Sequence, residues 1–231
     1  MLDAMDADTR CIMSVEDPVE YLLPGVAQTE LAPRRGITYP RAIRALLHHD
    51  PDVILVGEMR DLETIQMCTE SAITGHLLLS TMHVNTAPGT VKRLLDMGME
   101  PFHVNATVRG IIAQRLVRRL CPECRQNTEL SPHSIPPEVT AFAEAHPDAT
   151  FYSPGKCDAC KGMGYRGRIG IHEILIPDEG FRNTVIAGAE EHALRQAALS
   201  SGMRGMLECG LEKAAQGITS IEEVCRVVPR T

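Results

Sequence analysis

A chain of 231 residues, 44% of them hydrophobic, can bury a real core as one large domain or two small ones. Its formal charge of -7 argues against broad electrostatic binding of nucleic acid, which calls for a basic domain or stripe, although Arg115, Arg118, Arg119 and Arg125 form a local exception. No apolar run approaches the roughly 20 residues that cross a bilayer, and the start, Met1-Leu2-Asp3-Ala4-Met5-Asp6, lacks the regions of a signal peptide, so the expected location is the cytoplasm.

The first half alternates short apolar runs with amphipathic stretches, the pattern of strands joined by helical crossovers in a parallel sheet. Cys11 to Val15, Val53 to Val56 and Leu77 to Thr81 read as strands, the last two apolar in the way of strands buried on both faces. Between them, Pro40 to His49 places Ile43, Leu46 and Leu47 on one helical face. Asp61 caps a helix running to about Ile73, where Gly75 stops it. Another helix follows Thr86, with Pro88 in its first turn and Gly98 past its end. The spacing of Val104, Val108, Ile111, Ile112, Leu116 and Leu120 predicts one long helix over Pro101 to Leu120.

Composition changes after Leu120. Cys121 to Cys160 is rich in Pro, Cys, Glu and Ala and lacks apolar periodicity, as expected of a small metal-held insertion. Arg168 to Leu175 reads as a returning strand. Glu190 to Gln216 reads as helical, broken at Gly202, Gly205 and Gly210. Met203, Met206, Ile218, Ile221 and Val224 look like helical core.

Ligands of open parallel sheets bind beyond the carboxyl ends of the strands, so the polar residues after each apolar run matter most. The first run reaches Glu16-Asp17-Pro18, the second Gly57-Glu58-Met59-Arg60-Asp61, and the third Met82-His83, with His76 just before it. Each alone reads equally as a solvated loop or a helix cap. Together they supply carboxylates that can hold magnesium and orient water beside a histidine that can sense phosphate, which is what phosphoryl transfer requires.

These segments resemble the traffic ATPases of type II secretion and type IV pilus assembly. Ser14 to Glu20 is similar to that family's aspartate box, Asp50 to Asp61 to its Walker B segment, and Thr74-Gly75-His76 through Thr81 to Thr86 to its histidine box. The resemblance extends over nearly the whole chain. It implies an α/β fold with a RecA-like core and mostly parallel sheet, an inserted four-cysteine zinc module and a helical carboxy-terminal region, with ATP, Mg2+ and Zn2+ as cofactors. It also implies a homo-hexamer that couples hydrolysis to subunit movement, held to the inner membrane through secretion or pilus platform proteins and binding no nucleic acid.

In this reading residues 1–120 form a partial ATPase core, 121–160 the zinc module, and 161–231 the return to the core and the carboxy-terminal helices. Glu16 would orient or deprotonate the attacking water, Glu58 would act through the magnesium shell, and His83 would contact the terminal phosphate. Asp17, Arg60, Asp61 and His76 are the further candidates around the nucleotide. The usual Walker B aspartate is absent, as in the family. Arg34, Arg41 and Arg44 lie where the family supplies arginines across a subunit boundary, a role that stabilises transition-state charge. The spacing of Arg41 and Arg44 fits a solvated helix face equally well.

Cys121-Pro122-Glu123-Cys124 and Cys157-Asp158-Ala159-Cys160 each set two thiolates in one tight turn, and two such turns make the tetrahedral site zinc prefers. Redox pairs are the alternative. The remaining four, Cys11, Cys68, Cys209 and Cys225, read as small core residues. Arg166 and Arg168, after the second pair, read as solvated loop residues.

No GxxxxGK[ST] phosphate loop occurs in these residues. In the family it lies just before the aspartate box, and Leu2 to Asp8 resembles the end of its following helix, so the expectation is that the chain starts a little too late, binds ATP weakly and does not hydrolyse it alone. Two other readings stand beside the motor: a non-catalytic ring subunit, and a zinc-ribbon nucleic-acid-binding protein using the four arginines near the metal. Net acidity and 3% aromatic content weigh against the latter.

Overall fold

The apolar runs do pair side by side. A computed structural model of the chain describes residues 2–128 and 136–228, divided into two units: Met1–Val84, Gly89–Arg109 and Arg182–Leu194 in the first, and Asn85–Pro88, Gly110–Phe181 and Arg195–Thr231 in the second. Residues 129–135, inside the expected zinc module, and 229–231 lie outside the described residues.

In the first unit β1 (Ile12–Glu16), β2 (Val26–Glu30), β3 (Val53–Val56) and β4 (Leu77–Ser80) form one sheet in the order β2-β1-β3-β4, every neighbouring pair parallel. All four carboxyl ends therefore lie along one edge. On one face, Val15, Ile54 and Val56 pack with Tyr39, Ala42, Ile43 and Leu46 of α1 (Tyr39–Leu46) and Cys68 of α2 (Leu62–Ile73). Each aliphatic side chain so buried contributes about 1.5–3 kcal/mol of transfer free energy. Leu2, Ile12 and Val53 form a second cluster. Among the described residues β4 is an edge strand, with Leu77 exposed, the other three residues half-buried and the Ser80 hydroxyl buried without a hydrogen-bond partner.

Local chemistry explains the helix limits. Pro40 sits in the first turn of α1, where its missing amide costs nothing. Asp61 caps α2 through Thr64 N at 2.8 Å, and Gly75, at φ 107, supplies the left-handed turn beyond it. Helices α3 (Ala87–Asp96) and α4 (Pro101–Thr107) follow.

The long helix expected over Pro101 to Leu120 is not formed. After α4 the chain opens at Arg109-Gly110 into β5 (Ile111–Leu120). Short strands β6 (Gln126–Thr128) and β7 (Phe151–Ser153) pair antiparallel, with α5 (Pro137–Ala145) between them in sequence, and the chain returns as β8 (Tyr165–Leu175), antiparallel to β5. Apolar residues four apart occupy one side of a strand as readily as one side of a helix. Ala113 and Val117 face inward here, while Ile112 and Leu116 face outward and stay exposed, which hid the alternation.

The rest is helical: α6 (Glu179–Ile186), α7 (Glu191–Ser200), α8 (Met206–Ala215) and α9 (Ile221–Val227). Gly202 and Gly205 do separate α7 from α8, but Gly210 lies inside α8 and breaks nothing. A Cβ there would stand 2.5 Å from Val224 Cγ1, so glycine lets α9 approach closely. Buried Glu173 of β8 accepts from Ala87 N at 2.6 Å and Met206 N at 3.4 Å, capping the first residues of α3 and α8 with one carboxylate.

Glu223 of α9 is fully buried and bonded to Arg226 Nη2 and Arg118 Nη2 at 2.7 Å each and to Arg118 N at 3.0 Å. Burial pushes its carboxyl up, but the bonds from Arg226 and Arg118 outweigh it and hold the group at about 2. The folded value lies below the ordinary one, so the stabilisation is complete above the carboxylate range and is lost as pH falls toward the folded value. With both arginines half-exposed, Glu223→Gln is expected to cost about 2 kcal/mol in urea unfolding at pH 7. That difference should shrink below about pH 4; a cost independent of pH would refute the ionic account.

Candidate nucleotide and metal sites

At the carboxyl edge of the parallel sheet, β1 ends in Glu16, β3 runs into Gly57-Glu58, and β4 runs into Thr81-Met82-His83. Glu58 is held from two sides: Arg60 Nε lies 2.7 Å from its Oε2, and His83 Nε2 lies 3.1 Å from its Oε1. Its side chain is 13% exposed, against 62% for Arg60 and 89% for His83, so the carboxylate is set back beneath two exposed donors. The pairing raises the Arg60 pKa above its ordinary value. The backbone locks the turn: Gly57 N donates to Val15 O at 2.8 Å, Met59 N to Thr81 O at 3.0 Å, and Thr81 Oγ1 to Gly57 O at 2.6 Å.

Glu16 is anchored through one oxygen. Ser14 Oγ donates to its Oε1 at 2.5 Å and Gln28 Nε2 at 3.0 Å. Beneath the β3 turn lies Tyr39, whose hydroxyl is 2.9 Å from where a Cβ on Gly57 would sit, so only glycine leaves room there. Burial, then the nearby Asp17 carboxylate, push the Tyr39 phenol up. Gln28 and Tyr39 carry no local signal in the sequence: Val26 to Glu30, although bounded by Gly25 and Pro33, lacks the apolar run of the other strands, and an aromatic at a helix start marks no site.

The other candidates are distributed differently. Asp17 is exposed just beyond β1. Asp61 spends both oxygens on Thr64 as the cap of α2. His76 precedes β4 and so lies at the amino edge of the sheet, a strand's length from His83, with Nδ1 2.9 Å from Ser71 O and 3.1 Å from Thr74 Oγ1. Arg34 sits in a 3-10 turn, Arg41 donates to Gly36 O at 3.3 Å, and Arg44 Nη2 lies 3.8 Å from the Met67 sulfur. All three are exposed, and among the described residues none is hydrogen-bonded to Glu16, Glu58 or His83.

In the second unit the two CxxC turns meet. Cys121 and Cys157 sulfurs are 3.7 Å apart, Cys124 and Cys160 3.8 Å, Cys157 and Cys160 3.7 Å, and all four lie within 4.8 Å of one another. Zn–S bonds of about 2.3 Å in a tetrahedron require sulfurs roughly 3.8 Å apart, so the four thiols fit such an ion; a disulfide would need about 2.05 Å. Burial opposes charge on Cys160, yet hydrogen bonds that include the Gly164 amide at 3.1 Å bring its thiol to about 6. Of the scattered cysteines, Cys68 is buried, its thiol pushed to about 12 by burial, while Cys11, Cys209 and Cys225 are half-buried.

The arginines near this cluster are engaged in packing. Arg118 lies 4.1 Å over the Tyr165 ring, and Arg125 lies 4.6 Å over Tyr152 while donating to Gly217 O at 2.6 Å. Arg115 is hydrogen-bonded to Asn85. Arg166 and Arg168 are exposed, as expected, but on β8 and not in a loop. Among the described residues no helix is long and apolar enough to cross a membrane.

Residues 1–226 match the family model described as Type II/IV secretion system protein. The chain is 44% identical over 226 residues to the Type II secretion system protein E of Dickeya dadantii, covering 98% of this chain and 44% of that protein. It is also 44% identical over 211 residues to the Type IV pilus assembly ATPase PilB of Thermus thermophilus, covering 91% of this chain and 24% of that one. The chain thus spans less than half the length of these relatives. Its structure is similar to the crystal structure of the pilus retraction motor PilT with bound ADP, at TM-score 0.68 and 28% identity over 96% of this chain and 53% of that one.

Proposed function

Since the chain belongs to the type II/IV secretion system protein family, we propose that it is the carboxy-terminal part of a hexameric ATPase that drives type II protein secretion or type IV pilus assembly. The observation that carries this reading is Glu58 at the end of a parallel strand, clasped by Arg60 and His83, with Glu16 at the end of the neighbouring strand.

Glu58 and Glu16 are hard oxygen donors of the kind magnesium takes, directly or through its waters. When bound, the cation offsets charge developing on the transferring phosphoryl group. Glu58 would hold such a cation through its water shell, Glu16 would accept the proton of the attacking water, and His83, freed from Glu58, would donate to the terminal phosphate. Arg60 keeps the Glu58 carboxylate in place between turnovers. Arg34, Arg41 and Arg44, exposed and uncommitted to that cluster, are available to a nucleotide on a neighbouring subunit, whereas His76 belongs to the opposite sheet edge and Asp61 to its helix cap.

The four cysteines hold zinc as a closed structural site. The protein works in the cytoplasm, against the inner membrane, through platform partners of the secretion or pilus machinery.

The test is MgATP hydrolysis by the full-length gene product, with particle mass measured in the same buffer. Hydrolysis by a particle of six subunits is the expected result. A monomer that neither binds nor hydrolyses MgATP would sink the reading.

A further inference from the structure

We propose that Ser14 and Gln28 are positioning residues for Glu16, which they hold by one carboxylate oxygen so that the other faces the water. This deepens the ATPase reading and rests on it. Ser14 and Gln28 are direct register partners on β1 and β2, and Glu16 stands two residues beyond Ser14, so all three side chains leave the same face of the sheet.

Both donors converge on Oε1 of Glu16: Ser14 Oγ, fully buried, at 2.5 Å and Gln28 Nε2 at 3.0 Å. Oε2 is left as the atom that can take a proton. Gln28 has no slack of its own. Its Nε2 also donates to Tyr21 O at 3.0 Å, and its Oε1 accepts from Leu23 N at 2.7 Å, so the amide is pinned to the loop between β1 and β2. Tyr21 and Leu22 in that loop are 77% and 87% exposed. Without Gln28, Glu16 would keep only the serine and could swing about it.

Displacement of a reacting group by about 1 Å can cost about 100-fold in rate. Gln28→Leu, close in size, is therefore expected to lower kcat of the full-length product about 10- to 100-fold with KM for MgATP within about twofold. In a Glu16→Gln background the same change should cost nothing further. In the 231-residue chain, Glu16→Ala should shift the side-chain amide resonances of Gln28. If Glu16→Gln keeps full activity, the ATPase assignment of Glu16 fails whatever Gln28 does. If Glu16→Gln is inactive while Gln28→Leu retains kcat, raises only KM, or adds its loss to that of Glu16→Gln, the positioning role is overturned. Gln28 resonances that ignore Glu16→Ala overturn it as well.

Discussion

Glu58→Gln is expected to reduce MgATP hydrolysis by the full-length product roughly 10²- to 10⁴-fold, the range that a positioned proton-transfer or water-orienting group contributes. Nucleotide affinity should change only a few-fold. The amide keeps the shape of the carboxylate but removes its charge, and the structure shows what that charge does. Glu58 is the shared acceptor of Arg60 and His83, 2.7 and 3.1 Å away, and its side chain is only 13% exposed. An amide there keeps one neutral acceptor oxygen in place of two charged ones, so it would order a cation's water shell less well and can accept from only one of the two donors. Single-turnover measurement of hydrolysis and equilibrium binding of a fluorescent nucleotide separate the two effects. A variant that keeps more than a tenth of wild-type turnover would show that Glu58 only balances the charge of Arg60.

The second large effect concerns the thiolates. Cys160→Ser is expected to abolish stoichiometric zinc binding by the 231-residue chain and to unfold the segment from β6 to β7. Three ligands cannot close the shell, and even an outer-shell change costs about 10- to 100-fold in affinity. Structural zinc sites in small domains supply about 10–16 kcal/mol of apparent binding free energy, most of it folding free energy. Among its described residues the segment has little else. Its apolar cluster, Val139 and Phe151 against Leu211, Ala214 and Ile221, borrows residues from α8 and α9. Metal content by mass spectrometry and amide exchange in β6 and β7 read out the two halves. A metal-free protein with both strands still protected would mean that the cysteines are packing residues.

How much of this was legible beforehand depended on whether the information was local. Val53 to Val56 declared itself because a strand buried on both faces is apolar throughout. Leu77 to Ser80 shows the same apolar run, but as an edge strand with Leu77 exposed and the rest half-buried it does not have the burial on both faces that the run suggested. The cysteine pairs declared themselves because ligand spacing within a tight turn is a property of four residues. The edge of the sheet was legible too, since parallel strands align their carboxyl ends, and Glu16, Glu58 and His83 follow those ends directly.

The failures were of another kind. Ile112 and Leu116 are apolar but exposed on β5, so the strand lost its alternation and looked helical until its pairing with β8 was known. His76 is one residue from β4 in sequence, but a strand has two ends, and a residue before the run belongs to the far one. Gln28 reaches Glu16 only because β2 lies in register beside β1, a long-range fact with no mark in the local sequence.

The open side of β4 has a practical consequence for anyone handling the isolated polypeptide. Among the described residues Leu77 to Ser80 is left unpaired on one side, and its sequence of three leucines and a serine contains no lysine, proline or bulge of the kind that natural edge strands use to stay apart. Such a border behaves as a template for another strand. The isolated polypeptide is therefore expected to associate as its concentration rises, which light scattering across a dilution series reads out.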